Sequence, residues 1–166
     1  MKLIKYLFRK FILPVYVIIS SILSLIFTLA AAGKFPLFLQ MLPIILCLLL
    51  TLRASDDVFD YENDLLTKKQ YLNKLELTIF ACLTAAVFVL LNFMYYGITG
   101  LVSIAALGYI LLQEKFPLLK TSYMALLFAF YFYVNCSSLN TIHLAVTVAC
   151  FAASTVYYIF KRKVRK

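Results

Sequence analysis

Long runs of apolar residues, separated by short polar segments, make up most of this chain. Six runs approach the roughly 20 residues that a helix needs to cross a bilayer, and they lie at about 11–33, 36–54, 75–96, 98–113, 117–134 and 141–160. Only a few residues separate the first run from the second and the third from the fourth, which is typical of helical hairpins. The pattern predicts an all-α, polytopic membrane helix bundle with about six transmembrane helices.

Composition excludes the other broad classes of protein. The chain has 166 residues, of which 64% are hydrophobic and 14% charged, whereas a soluble domain is about half apolar and about one quarter charged. The same values exclude a disordered chain and a disulfide-rich scaffold. We therefore expect residues 1–166 to form a single integral-membrane helical domain.

The positive charges predict the orientation of the chain. Of the 16 Lys and Arg residues, fifteen fall on one side if six helices alternate across the bilayer, and only Lys34 falls on the other. Because cations remain on the cytoplasmic side, both termini and the loop between the second and third spans are predicted to be cytoplasmic. The membrane would be the plasma (inner) membrane if the protein is bacterial. The first run is longer than the roughly 7 to 15 apolar residues of a signal peptide, so we expect it to be retained as a span.

The net charge of +9 does not indicate a nucleic-acid partner. The cations sit at the ends of apolar runs and form no continuous basic face. The partners predicted from this distribution are membrane lipids, and the basic C-terminal segment is expected to attract anionic headgroups.

The acidic residues are concentrated directly after the second span. Five of the seven fall within nine residues: Asp56, Asp57, Asp60, Glu62 and Asp64. One carboxylate at the centre of a bilayer costs about 2.5 to 3.5 kcal/mol on insertion scales. We therefore expect this cluster to lie at the cytoplasmic surface or to line a wet cavity.

Helical geometry brings most of these acids onto one face. If the second helix continues through them at about 100° per residue, Asp57, Asp60 and Asp64 form a strip, Asp56 lies at its margin and Glu62 points away. The strip has a cation at each end, Arg53 and Lys68. Carboxylates of this kind hold Mg²⁺ on substrate phosphates, and the two cations would contact phosphate oxygens. The alternative is a solvated acidic loop beside basic, lipid-facing residues.

The segment LRASDDVFDYEND resembles the first aspartate-rich motif of the UbiA superfamily of intramembrane prenyltransferases, N/D-D-x-x-D-x-x-x-D. Its aspartates correspond to Asp56, Asp57, Asp60 and Asp64. The resemblance implies that these four bind Mg²⁺ and the diphosphate of a prenyl donor, with Asp57, Asp60 and Asp64 in the catalytic role. It also implies that diphosphate departure leaves an allylic carbocation, which alkylates an acceptor in a dry pocket.

A second element of the same family is a Tyr-x-x-x-Lys sequence between its fourth and fifth helices. This chain has FPLLK there, so Lys120 matches the lysine, and Phe116 replaces the tyrosine. The resemblance implies that Lys120 joins Arg53 and Lys68 in binding the diphosphate. CDP-alcohol phosphotransferases do not fit, because their motif needs glycines that the acidic segment lacks.

The chain also departs from the family pattern. Family members usually have nine helices and a second motif, D-x-x-x-D, whereas this chain has no acidic residue after Glu114. The resemblance thus covers about residues 1–160 and implies a reduced UbiA-like prenyltransferase acting on a prenyl or other lipid diphosphate. A partner membrane subunit or a homo-oligomer would complete its site. The alternative is a non-catalytic membrane subunit or degenerate homologue that binds lipid or a partner protein.

Two further features have structural and functional interpretations. The fifth span carries Phe128, Phe130, Tyr131, Phe132 and Tyr133, which either line a cavity that stabilises a carbocation by cation–π attraction or form a lipid-facing or packing stripe. Asn92, inside the third span, is expected to form a hydrogen bond between helices.

Overall fold

In the computed structural model, residues 2–10, 13–33, 35–62, 72–101, 117–136 and 140–164 are described. Within those ranges all regular structure is helical. The elements are α1 (Lys2–Lys5), which runs into a π-helical turn (Tyr6–Lys10), α2 (Leu13–Ala30), α3 (Phe35–Phe59), α4 (Lys74–Tyr96), which is followed by a 3₁₀ turn (Gly97–Leu101), α5 (Pro117–Asn135) and α6 (Thr141–Val164).

Five of the six apolar runs coincide with helices, namely α2 to α6. The fourth run begins in the 3₁₀ turn, and from residue 102 it lies outside the described residues. Three helical segments in the described part are long and apolar enough to cross a membrane: Leu13–Ala30, Phe35–Phe59 and Lys74–Leu101. The chain is therefore an all-α, membrane-associated protein in its described parts, and its full number of crossings remains a prediction.

The packing places α3 at the centre of the N-terminal half. It packs against α2 on one side and α4 on the other, while α5 packs against α6 and α6 also contacts α2. The largest buried cluster contains Phe27 of α2, Ile44 and Leu48 of α3, Phe88 of α4 and Phe132 of α5. Four helices thus share one apolar core.

The aromatic stripe of α5 packs inside this core. Phe128, Tyr131 and Phe132 are buried, and the Phe132 ring stacks on Phe27 of α2 at a centroid distance of 4.6 Å. Burial favours the packing interpretation for these three residues. Tyr133 on the same helix is 72% exposed and does not pack in this core.

Buried polar side chains connect the helices where apolar packing alone would not fix their register. The Tyr131 hydroxyl of α5 donates to Asn92 Oδ1 of α4 at 2.8 Å. Asn92 Nδ2 in turn donates to the Phe88 carbonyl at 2.8 Å, so that both ends of the buried amide are engaged. The predicted interhelical hydrogen bond of Asn92 is confirmed.

His143 connects the start of α6 to the end of α2. Its Nδ1 accepts from the Asn140 backbone N–H at 3.1 Å, while Asn140 Oδ1 accepts from the His143 backbone N–H at 3.1 Å. Because Nδ1 is an acceptor, Nε2 carries the proton and donates to the Ala30 carbonyl at 3.0 Å. The imidazole also stacks on Phe132 at 4.6 Å. This lone histidine therefore has a packing and capping role.

Candidate functional site

The candidate site lies at the polar end of α3, where the acidic segment begins. α3 continues past residue 54 to Phe59, and the Asp60 N–H still donates to the Asp56 carbonyl at 2.9 Å. The acidic strip requires a helix that continues beyond the second apolar run. This continuation is confirmed as far as Phe59. The strip therefore begins on a membrane-length helix.

The structure describes only part of the predicted set of site residues. Arg53, Asp56 and Asp57 lie on α3, and Asp60 lies in the turn that follows. Asp64 and Lys68 fall outside the described residues. Lys120 lies in the first turn of α5, and its side chain is outside the part that the structure describes.

Asp57 is the best-defined member of the group. Its side chain is only 2% exposed, and its Oδ1 lies 3.0 Å from Arg53 Nη2, one helical turn earlier. Its Oδ2 accepts a hydrogen bond from the Tyr6 hydroxyl at 2.8 Å. A buried carboxylate is costly unless it is paired and hydrogen-bonded, and these two contacts meet that requirement.

Tyr6 reaches this carboxylate from the N-terminal segment. It is fully buried, and its ring meets Phe80 of α4 edge to face at a centroid distance of 5.9 Å. It belongs to a small second cluster with Leu72 and Leu77. Tyr6 therefore connects the N-terminal segment to both α3 and α4.

The hydroxyl of Tyr6 acts as a hydrogen-bond donor at ordinary pH. Burial raises its pKa well above the usual range, and the neighbouring Asp57 carboxylate raises this pKa further. Tyr6 was not among the predicted site residues. It lies 51 residues from Asp57, in a segment without an apolar run or a motif, and no local sequence signal identifies it.

The other acids of the segment are more open than Asp57. Asp56 and Asp60 are half-buried, which agrees with their positions beside the strip's most buried residue. Glu62 is exposed and lies 3.4 Å from Lys74 Nζ at the start of α4. The expectation that Glu62 points away from the strip agrees with this pairing.

The fit of these residues to a divalent metal differs along the motif. Mg²⁺ requires near-octahedral oxygen ligands at about 2.1 Å. Asp57 is only 2% exposed and each of its oxygens already has one donor, Arg53 or Tyr6, so it is less suited to a metal ion as placed than the more open Asp56 and Asp60. In the part of the chain described, no three acidic, histidine or cysteine residues are grouped for a metal ion. The metal site at the four aspartates stays a prediction.

An open groove lies at the other end of the α2–α3 hairpin. It has a volume of about 450 Å³ and is lined by Ile22, Leu25, Thr28, Phe35 and other mostly apolar neighbours. From Phe38, which also lines it, to Asp57 is roughly 28 Å along α3 at 1.5 Å per residue. This groove is therefore separate from the acidic site.

Comparison of the chain with protein-family models, with curated proteins and with solved structures gave no match. The relation to the UbiA superfamily accordingly remains a resemblance based on the aspartate motif and Lys120.

Proposed function

We propose that this protein is an integral membrane protein that binds the diphosphate of a prenyl or other lipid at the cytoplasmic end of α3. The observation that carries the proposal is the continuation of α3 to Phe59. That continuation places Arg53 and the first motif aspartates together at the end of an apolar helix. A lipid diphosphate has the matching shape, with a charged head at the membrane surface and an apolar tail in the bilayer.

The proposed ligand set takes the aspartates of the motif without Asp57, which is buried, together with the three predicted cations. Asp56 and Asp60, with Asp64 further along the motif, would hold Mg²⁺, while Arg53, Lys68 and Lys120 would contact phosphate oxygens. When bound, Mg²⁺ supplies positive charge that neutralises the diphosphate. The reaction proposed for this site is transfer of the prenyl group to a small or lipid acceptor. A partner membrane subunit or a homo-oligomer would complete the site.

The proposed site faces the cytoplasm. If six helices alternate across the bilayer, fifteen of the 16 cations lie on the same side as the acidic segment, and such cations favour the cytoplasmic side. In a bacterial cell this would be the plasma membrane. The same distribution makes membrane lipids the expected surroundings and gives no support for nucleic acid.

Replacing a single acid of the strip tests the function. Asp60→Asn is expected to weaken Mg²⁺-dependent binding of a prenyl diphosphate by about tenfold or more, since an ionised ligand is lost. Binding would be measured by titration of purified protein in lipid nanodiscs, with Mg²⁺ and with EDTA. Glu62→Gln is the matched control, because Glu62 is exposed and pairs with Lys74.

Two outcomes count against the proposal. Wild-type protein that binds no prenyl diphosphate in either buffer excludes the binding function. Binding without release of diphosphate, from the chain alone and from native membranes that contain its partners, excludes the transferase activity.

The second candidate function is a non-catalytic membrane subunit that keeps the helical scaffold and binds lipid or a partner protein. One observation favours it: Asp57, a central aspartate of the motif, is buried between Arg53 and Tyr6. Diphosphate binding without turnover in native membranes is the result expected for this candidate.

A further inference from the structure

We infer that Asp57 is a positioning residue, held by Tyr6, that orients Arg53 toward the phosphate of the bound lipid, and that it is not a metal ligand. The inference rests on the proposed function, since the lipid diphosphate is the group that Arg53 would contact. It adds Tyr6 to the site and removes Asp57 from the metal ligands.

The orientation of the Asp57 carboxylate is fixed from two sides. Arg53 Nη2 lies 3.0 Å from Oδ1, and the Tyr6 hydroxyl donates to Oδ2 at 2.8 Å. With one donor on each oxygen, the carboxylate plane cannot rotate without losing a buried hydrogen bond. The Tyr6 ring is itself held by Phe80 of α4. The carboxylate is thus anchored to two helices and the N-terminal segment.

Arg53 has the opposite character, because it is only partly enclosed. Its side chain is 23% exposed, against 2% for Asp57. A guanidinium carries five N–H donors in a rigid fork, and the contact with Asp57 uses one end of that fork. The rest of the fork can bind a phosphate in the bidentate way that arginine favours. The buried carboxylate fixes the direction of the fork before the ligand arrives.

The charges of the group agree with this division of roles. Arg53 and Asp57 neutralise each other, so that the buried pair adds no net charge, while Tyr6 contributes a neutral donor. A metal ion at Asp57 would have to reach a side chain that is only 2% exposed, and its charge would oppose that of Arg53, which lies 3.0 Å from the same carboxylate. Asp56 and Asp60 are half-buried and are therefore more open to an ion than Asp57.

Tyr6→Phe separates the two roles of Asp57 because it deletes only a hydroxyl and keeps the ring on Phe80. If Asp57 positions Arg53, the variant binds prenyl diphosphate roughly tenfold more weakly, as expected from loss of a hydrogen bond to a charged group. The weakening should occur equally in Mg²⁺ and in EDTA. Affinity for the prenyl alcohol of the same chain length, which lacks the diphosphate, should not change. A purely structural defect would weaken the binding of both ligands.

A metal-ligand role predicts a different result for the same variant. Freeing Oδ2 from Tyr6 would leave Mg²⁺-dependent binding unchanged or make it stronger, and either result overturns the inference. Tyr133→Phe is the matched control, since it removes a hydroxyl from a side chain that is 72% exposed. Circular dichroism and thermal unfolding of both variants verify that the fold is intact.

A double variant tests whether Tyr6 acts through Asp57. In an Asp57→Asn background, Tyr6→Phe should cause no further loss of affinity, because the two residues share one contact. Additive losses overturn the inference. Wild-type protein that binds no prenyl diphosphate in either buffer refutes the proposed function and the phosphate role of Arg53 with it. Wild-type binding with an unchanged Tyr6→Phe variant refutes the positioning role alone.

Discussion

Asp57 and Tyr6 show how a single buried contact changes the meaning of a sequence motif. The motif presents four aspartates as equivalent ligands, but only the surroundings of each carboxylate determine what it can bind. Asp57 is enclosed by two donors, whereas Asp56 and Asp60 keep partial access to solvent. At the residue scale, burial distinguishes neighbouring aspartates of the same motif.

The raised pKa of Tyr6 has a consequence for stability at alkaline pH. The folded protein holds the Tyr6 proton more tightly than the unfolded chain, in which tyrosine titrates near pH 10. This contribution to stability is complete below about pH 10 and is lost as the pH rises toward the pKa of the folded state. As the pH rises from about 9 to 11, the free energy of unfolding should therefore fall less for Tyr6→Phe than for the wild type.

The measurement is the free energy of unfolding in detergent micelles at a series of pH values. Tyr133→Phe serves as the control, since its side chain is 72% exposed. Parallel curves for Tyr6→Phe and wild type would show that Tyr6 is not protected from titration by burial.

Residue-scale predictability depends on sequence distance. Arg53 and Asp57 are four positions apart on one helix, so that helical periodicity alone placed them on the same face. Tyr6 approaches Asp57 across 51 residues, and a tertiary contact over that distance has no periodic signature. The contact of Asp57 with Arg53 was therefore predictable from the sequence, and its contact with Tyr6 was not.

Among the helices, α4 and α5 are joined by the buried hydrogen bond from Tyr131 to Asn92. Tyr131→Phe leaves Asn92 Oδ1 without this donor, and we expect a loss of about 0.6 kcal/mol, the average for hydrogen bonds between membrane helices, and of at most about 1.7 kcal/mol. Tyr133→Phe, two residues away and exposed to the surroundings, should have almost no effect. Equal stability of the two variants in unfolding experiments would contradict this assignment.

Element boundaries followed from the apolar runs because run length and helix length have the same physical cause, the thickness of the membrane. The run at 36–54 corresponds to Phe35–Phe59, and the run at 75–96 corresponds to Lys74–Tyr96. The start of α4 was also fixed locally. Asn73 and Glu76 form a capping box there, which satisfies backbone donors at the helix terminus. By contrast, α1 and the π-helical turn contain no apolar run, and nothing in the pattern predicted them.

At the scale of the whole molecule, charge asymmetry gives a test of orientation. A reporter that is active only in the cytoplasm should be active when fused to either terminus, because the cations gather at both ends of the chain. A reporter inserted at Lys34 should be inactive, since this is the one cation predicted to lie on the other side. Activity at only one terminus would indicate an odd number of crossings.

The contact between Tyr6 and Asp57 also determines the order in which the protein can be assembled. Tyr6 precedes its partners on α3 and α4 in the chain, so these contacts cannot form before both helices have been synthesised. The contact closes a loop of 51 residues, and chain entropy opposes that closure until neighbouring helices have packed. The segment that carries Tyr6 therefore docks on α3 and α4 only after both have been made. A chaperone that retains this segment would delay completion of the site although these helices are already in place.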